Sequence, residues 1–165
     1  MITSIWLRPG EDLTVPHSIR EEVFQKELGW TKEEDQDVMD AYSYHLVLLL
    51  NDVPVATGRL SYDGVGMARL SRICVLKKYR RQGIGDGLVK VLDYKASQLG
   101  MGHSRVETVR ALEVFYMRIG YLATGAVRTA GGMELITMEK PEAMTLSSRR
   151  DATVSLMTFV FCWGT

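Results

Sequence analysis

Residues 80–85, with the sequence RRQGIG, combine two arginines and two glycines in a pattern that suits anion binding. The segment follows a strand-like apolar run, residues 70–76, and precedes a helix-like run, residues 86–99. Glycine lets the backbone approach a ligand closely, and the first turn of a helix offers unpaired N–H groups at its positive end. Because an anion is the natural partner of such a helix start, the segment predicts a phosphate-binding loop.

The spacing of the glycines excludes two common phosphate-binding loops. A P-loop requires a lysine and a hydroxyl residue after its second glycine, whereas Asp86 follows Gly85. A dinucleotide-binding loop requires G-x-G-x-x-G, and Gly87 comes one residue too early for that pattern. For this segment taken alone, the alternative to a phosphate-binding loop is a glycine-rich turn with a solvated basic rim and no ligand.

The composition limits the classes of protein to which the chain could belong. Its 165 residues are enough for one domain with a hydrophobic core, and 20 basic and 20 acidic residues give a formal net charge of zero. This balance argues against a dedicated nucleic-acid-binding protein. Cys74 and Cys162 lie far apart, so neither a disulfide framework nor a metal site is expected. No apolar run reaches the roughly 18 residues of a membrane span, which favours a cytoplasmic protein without a membrane partner.

Hydrophobic periodicity predicts a mixed α/β domain. Helical spacing predicts helices over residues 15–30, 86–99 and 111–119, and a second helix or a loop is expected between the first helix and the second strand. In this order, the elements predict a central, mostly antiparallel sheet flanked by helices. Short apolar runs between turn signals predict the strands, at residues 2–7, 44–50, 55–62, 67–76, 105–109, 121–128 and 133–139.

Residues 31–40 are strongly acidic and lie between the first predicted helix and the second predicted strand. We expect a solvated loop here, and the alternative is a negative rim that attracts a cationic amine. In the preceding helix, Arg20 is expected on the polar face. His45 could face the site or the core. Arg72 could face a substrate pocket, order the acidic segment, or be a plain sheet-surface arginine.

Four segments taken together resemble the GNAT N-acetyltransferase superfamily. The R-x-x-G-x-G pattern at residues 80–85 resembles its acyl-CoA pyrophosphate loop. Residues 115–121, FYMRIGY, look like the family's tyrosine followed four residues later by Gly-Tyr. Residues 53–60, VPVATGRL, resemble a strand that precedes the motif-bearing strand, and residues 20–24, REEVF, are similar to the R-x-x-V-F of a bacterial subgroup. The four signals occur in the family's order and cover residues 2–140.

The resemblance implies a fold and a co-substrate. The implied fold is the α/β (α+β) acyl-CoA N-acyltransferase fold over residues 1–140, with a mixed, mostly antiparallel central sheet flanked by helices. The implied co-substrate is acetyl-CoA, without a metal. Its pantetheine arm is expected along the strand before the loop, and its pyrophosphate on the N–H groups of the loop. The expected acetyl-CoA-binding residues are Ile73, Cys74, Val75, Arg80, Arg81, Gln82, Gly83, Ile84, Gly85 and Asp86.

The resemblance also implies transfer of the acetyl group to a primary amine of a small molecule or peptide, by direct attack in a ternary complex. Tyr116 matches the family position near the CoA sulfur and is expected to be the general acid, with a core tyrosine as the alternative. A backbone N–H near Val75 is expected to stabilise the oxyanion. Glu107, on the fifth strand, is the candidate base, and a solvated strand-end glutamate is the alternative.

Residues 141–165 lie outside the resemblance, and their apolar stretch, residues 153–163, would promote aggregation if it were exposed. We therefore expect this tail to pack on the domain or on a second copy of the chain in a homodimer. Two other functions are considered. One is a non-catalytic acyl-CoA-binding or interaction module on the same fold, and the other is an unrelated phosphate-binding α/β domain. The sequence does not specify the acceptor amine.

Overall fold

The computed structural model describes residues 1–141, and the tail predicted beyond them, including residues 153–163, lies outside the described residues. The order of strands and helices matches the order predicted from the sequence. The α-helices are α1 (Thr14–Arg20), α2 (Lys32–Asp35), α3 (Ile84–Gln98) and α4 (Glu113–Arg118). The strands are β1 (Ile2–Leu7), β2 (Tyr44–Leu50), β3 (Val53–Tyr62), β4 (Met67–Val75), β5 (His103–Val109), β6 (Leu122–Ala130) and β7 (Met133–Lys140).

The seven strands form one sheet in the order β1-β2-β3-β4-β5-β7-β6. Every pair of neighbours is antiparallel except β4 and β5, which are parallel. The crossover between these two strands contains α3, as a parallel connection requires. The predicted mixed, mostly antiparallel sheet is therefore confirmed.

The main core lies between the sheet and α3. Ile84, Leu88 and Leu92 repeat at four-residue intervals, so they share one face of α3, and all three are buried. They pack with strand residues such as Leu60 and Leu70. Aromatic side chains of α4 join the same core, which therefore holds α3 and α4 on one face of the sheet.

A second, smaller core covers the opposite face of the sheet. Ile19, Val23 and Phe24 pack there against Val47 and Cys74. The single helix predicted over residues 15–30 is α1 followed by a π-helical segment, Glu21–Glu27. Such wide turns are frequently found at functional sites. We call this side of the sheet the α1 face.

The expectation of a solvated loop over the acidic segment is wrong. Thr31 and Glu34 form a capping box that starts α2, and Asp37 caps a 3-10 helix, Val38–Tyr42. Asp35 and Asp40 are buried rather than exposed. Buried carboxylates require partners, and arginines of the α1 face provide them.

These partners form an arginine–aspartate cluster between α1, the acidic segment and the sheet. Arg20 Nε lies 2.8 Å from Asp35 Oδ1, and Arg20 Nη1 lies 2.9 Å from Asp40 Oδ1. Arg59 Nη1 lies 2.8 Å from Asp40 Oδ1 and 2.5 Å from Asp37 Oδ1. Arg20 is therefore fully buried, which corrects its expected place on the polar face of the helix. The cluster consists of Arg20, Arg59 and Arg72 with Asp35, Asp37 and Asp40.

Replacing Asp40 by asparagine is expected to destabilise the fold. The Asp40→Asn substitution keeps the shape of the side chain but leaves Arg20 and Arg59 with less negative charge nearby. Breaking a buried ion pair from one side costs about 3 kcal/mol or more. Urea denaturation of the variant and the wild-type protein measures this loss. Glu22→Gln is the matched control, because Glu22 pairs with Lys26 on the exposed surface and is expected to contribute nothing measurable.

The same carboxylate makes the stability depend on pH. Burial alone would raise the pKa of Asp40, but hydrogen bonds from Arg20 and Arg59 hold this pKa well below its ordinary value. Its contribution to stability is therefore complete above the unfolded-state pKa of about 4 and is lost as the pH falls below that value. Thermal melting between pH 6 and 3 should show a steeper decline for the wild-type protein than for Asp40→Asn. Parallel melting curves would contradict the ionic role of Asp40.

Candidate functional site

A β-bulge bends β4 near its carboxyl end. Thr57 pairs with Cys74 and Arg59 pairs with Ser71, so two residues of β4 lie opposite one residue of β3. Arg72, one of those two residues, has a left-handed backbone with φ of +51°. A bulge leaves a residue unpaired and increases the local bend of its strand. The end of β4 therefore turns away from its original direction at Arg72.

The side chain of Arg72 fastens this bulge to the acidic segment. Arg72 Nε donates to the Asp35 carbonyl oxygen at 2.8 Å, and Nη2 donates to the Glu34 carbonyl oxygen at 2.9 Å. Nη2 also lies 2.9 Å from Asp37 Oδ2. Of the alternatives considered for Arg72, the structure supports the one in which it orders the acidic segment. A left-handed arginine is strained, and these contacts hold it in place.

Beyond the bulge, β4 and β5 separate. They pair from Met67 with His103 to Leu70 with Val106, and no further pairs join them within residues 1–141. The Leu76 N–H donates to the Val55 carbonyl oxygen on β3, so the preceding carbonyl group, that of Val75, points toward the open edge. Ile73, Cys74 and Val75 thus belong to a strand end with one unpaired edge. We call the gap between the two strands the slot.

The glycine loop follows at the mouth of the slot. Gly83 has φ of +78° and is the N-cap residue of α3, with no side-chain cap. None of the six backbone N–H groups of residues 81–86 donates to an acceptor within the described chain. Asp86 forms an ion pair with Lys90, at 2.6 Å, so its carboxylate is neutralised one turn along the helix. Six free donors at a helix N-terminus fit a pyrophosphate group.

The loop, the end of β4 and α4 meet at one point. A methyl group built on Gly85 would lie 3.8 Å from Val75 Cγ2 and 3.8 Å from Phe115 Cζ. Arg80 braces this junction, because its Nε donates to the Val75 carbonyl oxygen at 2.9 Å. Its Nη1 and Nη2 atoms form a two-point pair with Glu27, at 2.6 and 2.8 Å. The structure therefore gives Arg80 protein partners, whereas the Arg81 side chain makes no ion pair within residues 1–141.

Tyr116 is buried beside the slot. Its ring meets Phe115 and Tyr121 edge to face, with centroids 5.0 and 5.6 Å apart. Burial raises the pKa of the Tyr116 hydroxyl above its ordinary value, while the adjacent Thr108 acts in the opposite direction. The hydroxyl therefore keeps its proton at neutral pH. Because Thr108 follows Glu107 on β5, Tyr116 lies near the point where the strands part.

Glu107 also lies where β4 and β5 part, but on the face of the sheet opposite to Tyr116. It follows Val106, the last β5 residue that pairs with β4. Val106 faces the α3 core, so strand alternation directs Glu107 to the α1 face. There its carboxylate accepts two hydrogen bonds from Arg128 of β6. Glu107 and Tyr116, the two expected catalytic residues, thus lie near the same point of β5 but on opposite faces of the sheet.

His45, which could have faced the site, faces the interior instead, and the side chain of Cys74, whose expected role is through its backbone, is buried as well. His45 is buried, and its Nε2 lies 3.0 Å from the Asp40 carbonyl oxygen. Its side chain is therefore covered by the acidic segment and does not reach the slot. Burial raises the pKa of the Cys74 thiol to about 12. Since the thiolate is the reactive form of cysteine, Cys74 is not available as a nucleophile at neutral pH.

Three comparisons with known proteins agree with this geometry. A family model for the GNAT acetyltransferase domain matches residues 11–142. The chain is 36% identical over 112 residues to the uncharacterized N-acetyltransferase YjcF of Bacillus subtilis, a match that covers 67% of this chain and 79% of that protein. The crystal structure of Escherichia coli ElaA superposes with a TM-score of 0.75 at 22% identity, covering 85% of this chain and 99% of that one. A Bacillus anthracis structure in complex with acetyl coenzyme A has a TM-score of 0.54 at 21% identity, covering 61% and 63%.

The chain belongs to the GNAT acetyltransferase family. It is an acetyl-CoA-dependent acetyltransferase with the acyl-CoA N-acyltransferase fold. No helix among residues 1–141 is long and apolar enough to span a membrane. In the same part of the chain, no three side chains of His, Cys, Asp or Glu are grouped as a metal ion would need.

Three features of this side of the sheet were not predicted from the sequence. The first is the arginine–aspartate cluster, for which Arg59 was a signal, because it is the one charged residue in the otherwise uncharged run of β3. The second is Arg128, the partner of Glu107, which no sequence pattern indicated. A third unrecognised contact joins Trp30 to the β6–β7 hairpin, where a methyl group on Gly131 would lie 2.5 Å from the indole Nε1. The hairpin tip therefore reaches across the α1 face.

Substituting Gly83 is expected to weaken acetyl-CoA binding. Gly83→Ala introduces a Cβ at a left-handed residue, which costs about 1 kcal/mol and displaces the adjacent N–H groups from their common direction. We expect the affinity for acetyl-CoA, measured by titration calorimetry, to fall about tenfold or more.

Gly100→Ala is the control for this substitution. Gly100 lies just beyond the other end of α3, its φ is +80°, and a methyl group there would meet nothing within 4 Å, as at Gly83. Both variants should lose similar thermal stability, but only Gly83→Ala should lose affinity for acetyl-CoA. Equal affinities of the two variants would contradict the placement of the pyrophosphate on the loop.

Proposed function

We propose that this acetyltransferase transfers the acetyl group of acetyl-CoA directly to a primary amine of a small molecule or peptide, in a ternary complex. One observation supports the proposal. The Tyr116 hydroxyl and the Glu107 carboxylate lie on opposite faces of the sheet where β4 and β5 part. A thioester lying in the slot would have an acid on one side and a base on the other.

The open edge of β4 and the glycine loop support a single position for acetyl-CoA. Its pantetheine arm would pair with the backbone of Ile73, Cys74 and Val75, and its pyrophosphate would accept from the N–H groups of residues 81–86. Arg81, and Arg80 beside it, would add positive charge next to the phosphates. The Val75 N–H, on the open edge, would donate to the thioester oxygen as negative charge develops there.

The reaction then requires three proton transfers. The acceptor arrives as an ammonium ion and gives one proton to Glu107, which leaves a neutral amine. As the amine nitrogen bonds to the carbonyl carbon, the C–S bond breaks and the Tyr116 hydroxyl protonates the leaving sulfur. Tyr116 regains its proton from the second N–H of the acceptor. The products are the N-acetylated amine, CoA as a thiol and one proton on Glu107.

Removing the hydroxyl group of Tyr116 is expected to slow turnover without weakening acetyl-CoA binding. A positioned general acid typically contributes a factor of 10²–10⁴ in rate, so Tyr116→Phe should lower kcat about 100-fold. Thiol release with a panel of amines measures kcat, and calorimetry measures the affinity for acetyl-CoA. Unchanged turnover would leave Tyr116 as a core residue.

Tyr121→Phe is the matched control for Tyr116→Phe. Tyr121 is also a buried tyrosine, but its hydroxyl donates to Asp93 Oδ1 at 2.7 Å, and Lys140 Nζ lies 3.1 Å from the other oxygen of that carboxylate. The control should lower the free energy of unfolding while leaving kcat within a few-fold of the wild-type value.

Glu107→Gln is expected to remove the proton acceptor. The amide cannot take a proton from the ammonium group, so kcat/KM at neutral pH should fall about 100-fold. Raising the pH should recover much of the loss, because the acceptor is then already deprotonated in solution. A variant whose rate ratio to the wild-type protein stays constant with pH would indicate that Glu107 is not the base. Thiol release from pH 6 to 10 makes this comparison.

A further inference from the structure

The Glu107–Arg128 pair stands apart from the other ion pairs on the α1 face. Arg128 donates from Nε and Nη2 to the two oxygens of Glu107. The Arg128 side chain is 54% exposed, whereas that of Glu107 is 18% exposed. Arg128 lies on β6, the outer strand of the sheet, and Glu107 is its only charged partner among the described residues. The guanidinium can therefore leave the carboxylate without breaking another hydrogen bond or ion pair within residues 1–141.

The other charged groups nearby are already paired with one another. Arg59 and Arg72 bind Asp37, and Arg59 also binds Asp40. Arg59 is buried, and its remaining Nε donates to Ser71 at 2.9 Å. A charged ligand that reaches the end of the slot on this face thus meets the Glu107 carboxylate and the Arg128 guanidinium. Within the described residues, each of these two groups forms an ion pair only with the other.

We propose that the acceptor is a free α-amino acid, whose ammonium group binds Glu107 and whose carboxylate binds Arg128. This assignment rests on the proposed function, because it uses Glu107 at the end of the slot. A zwitterion inserted into the pair replaces each charged partner with one of the same sign, so no charge is left unpaired. A guanidinium presents two parallel donors that match the two oxygens of a carboxylate.

Other amines would satisfy the pair less well. A simple amine would take Glu107 from Arg128 and leave the guanidinium without an anion. The N-terminus of a peptide has an amide in place of the adjacent carboxylate, which offers Arg128 a neutral acceptor. An amino acid also brings its nitrogen to Glu107 with a fixed spacing to the carboxylate, which positions the nitrogen for attack.

The test compares amino acids with their amides and with the corresponding decarboxylated amines, by thiol release from acetyl-CoA. The wild-type protein should acetylate one or more amino acids with a kcat/KM about 100-fold above that for the matched amide. Because this comparison uses the wild-type protein alone, it holds even if a variant fails to fold. Amides and amines that react as well as amino acids would overturn the assignment.

Variants of Arg128 give the second readout. Arg128→Gln should lower kcat/KM for the amino acid, mainly through KM, so that the roughly 100-fold preference for the acid over its amide is lost. Arg128→Lys should restore part of the loss. Arg110→Gln is the matched control, since Arg110 is an exposed arginine that binds Glu134 through the same two nitrogens, at 2.9 and 2.7 Å.

Two further outcomes are decisive. If Arg128→Gln lowers the rates with acid and amide equally, Arg128 does not bind the carboxylate and the assignment is wrong. If the protein binds acetyl-CoA but releases no thiol with any amine of the panel, the proposed function itself is wrong, and this assignment falls with it.

Discussion

A buried guanidinium group must be neutralised and hydrogen-bonded, and this constraint organises the α1 face of the protein. Arg20 and Arg59 are almost fully buried, so the acidic segment has to lie on the sheet with its carboxylates directed inward. The same segment then receives Arg72 and holds the bulge of β4. The separation of β4 from β5, and with it the slot, depends on that bulge. A cluster of ionic side chains thus supports a site that is built largely from backbone.

The backbone nature of the slot explains why much of it could be predicted from the sequence. Glycines at fixed spacing after an apolar strand indicate a loop and a helix start whatever the rest of the chain does, and α3 begins within two residues of its predicted start. The periodicity of Ile84, Leu88 and Leu92 likewise gave the helix face that meets the sheet. These are local signals. The predicted acetyl-CoA contacts and the roles of Tyr116 and Glu107 stay predictions, although the structure gathers these residues around one slot.

The features that were missed are all contacts between distant parts of the chain. Arg20 and Asp40 are 20 residues apart, and Arg72 and Asp37 are 35 apart. Glu107 and Arg128 come together only because β7 lies between their strands in the sheet. Composition made residues 31–40 look solvated, since most acidic segments are, and only the buried arginines reverse that expectation. The cofactor side of the site is therefore readable from sequence, whereas the acceptor side depends on the three-dimensional pairing of charges.

The central claim is that acetyl-CoA occupies the slot between β4 and β5, with its pyrophosphate on the glycine loop. Residue-resolved amide hydrogen exchange, with and without saturating acetyl-CoA, tests this claim most directly. The account predicts slower exchange of the amides of residues 73–75 and 81–86 in the complex, and unchanged exchange at the other end of α3 near Gly100. Binding of acetyl-CoA without protection of these two segments would contradict the account.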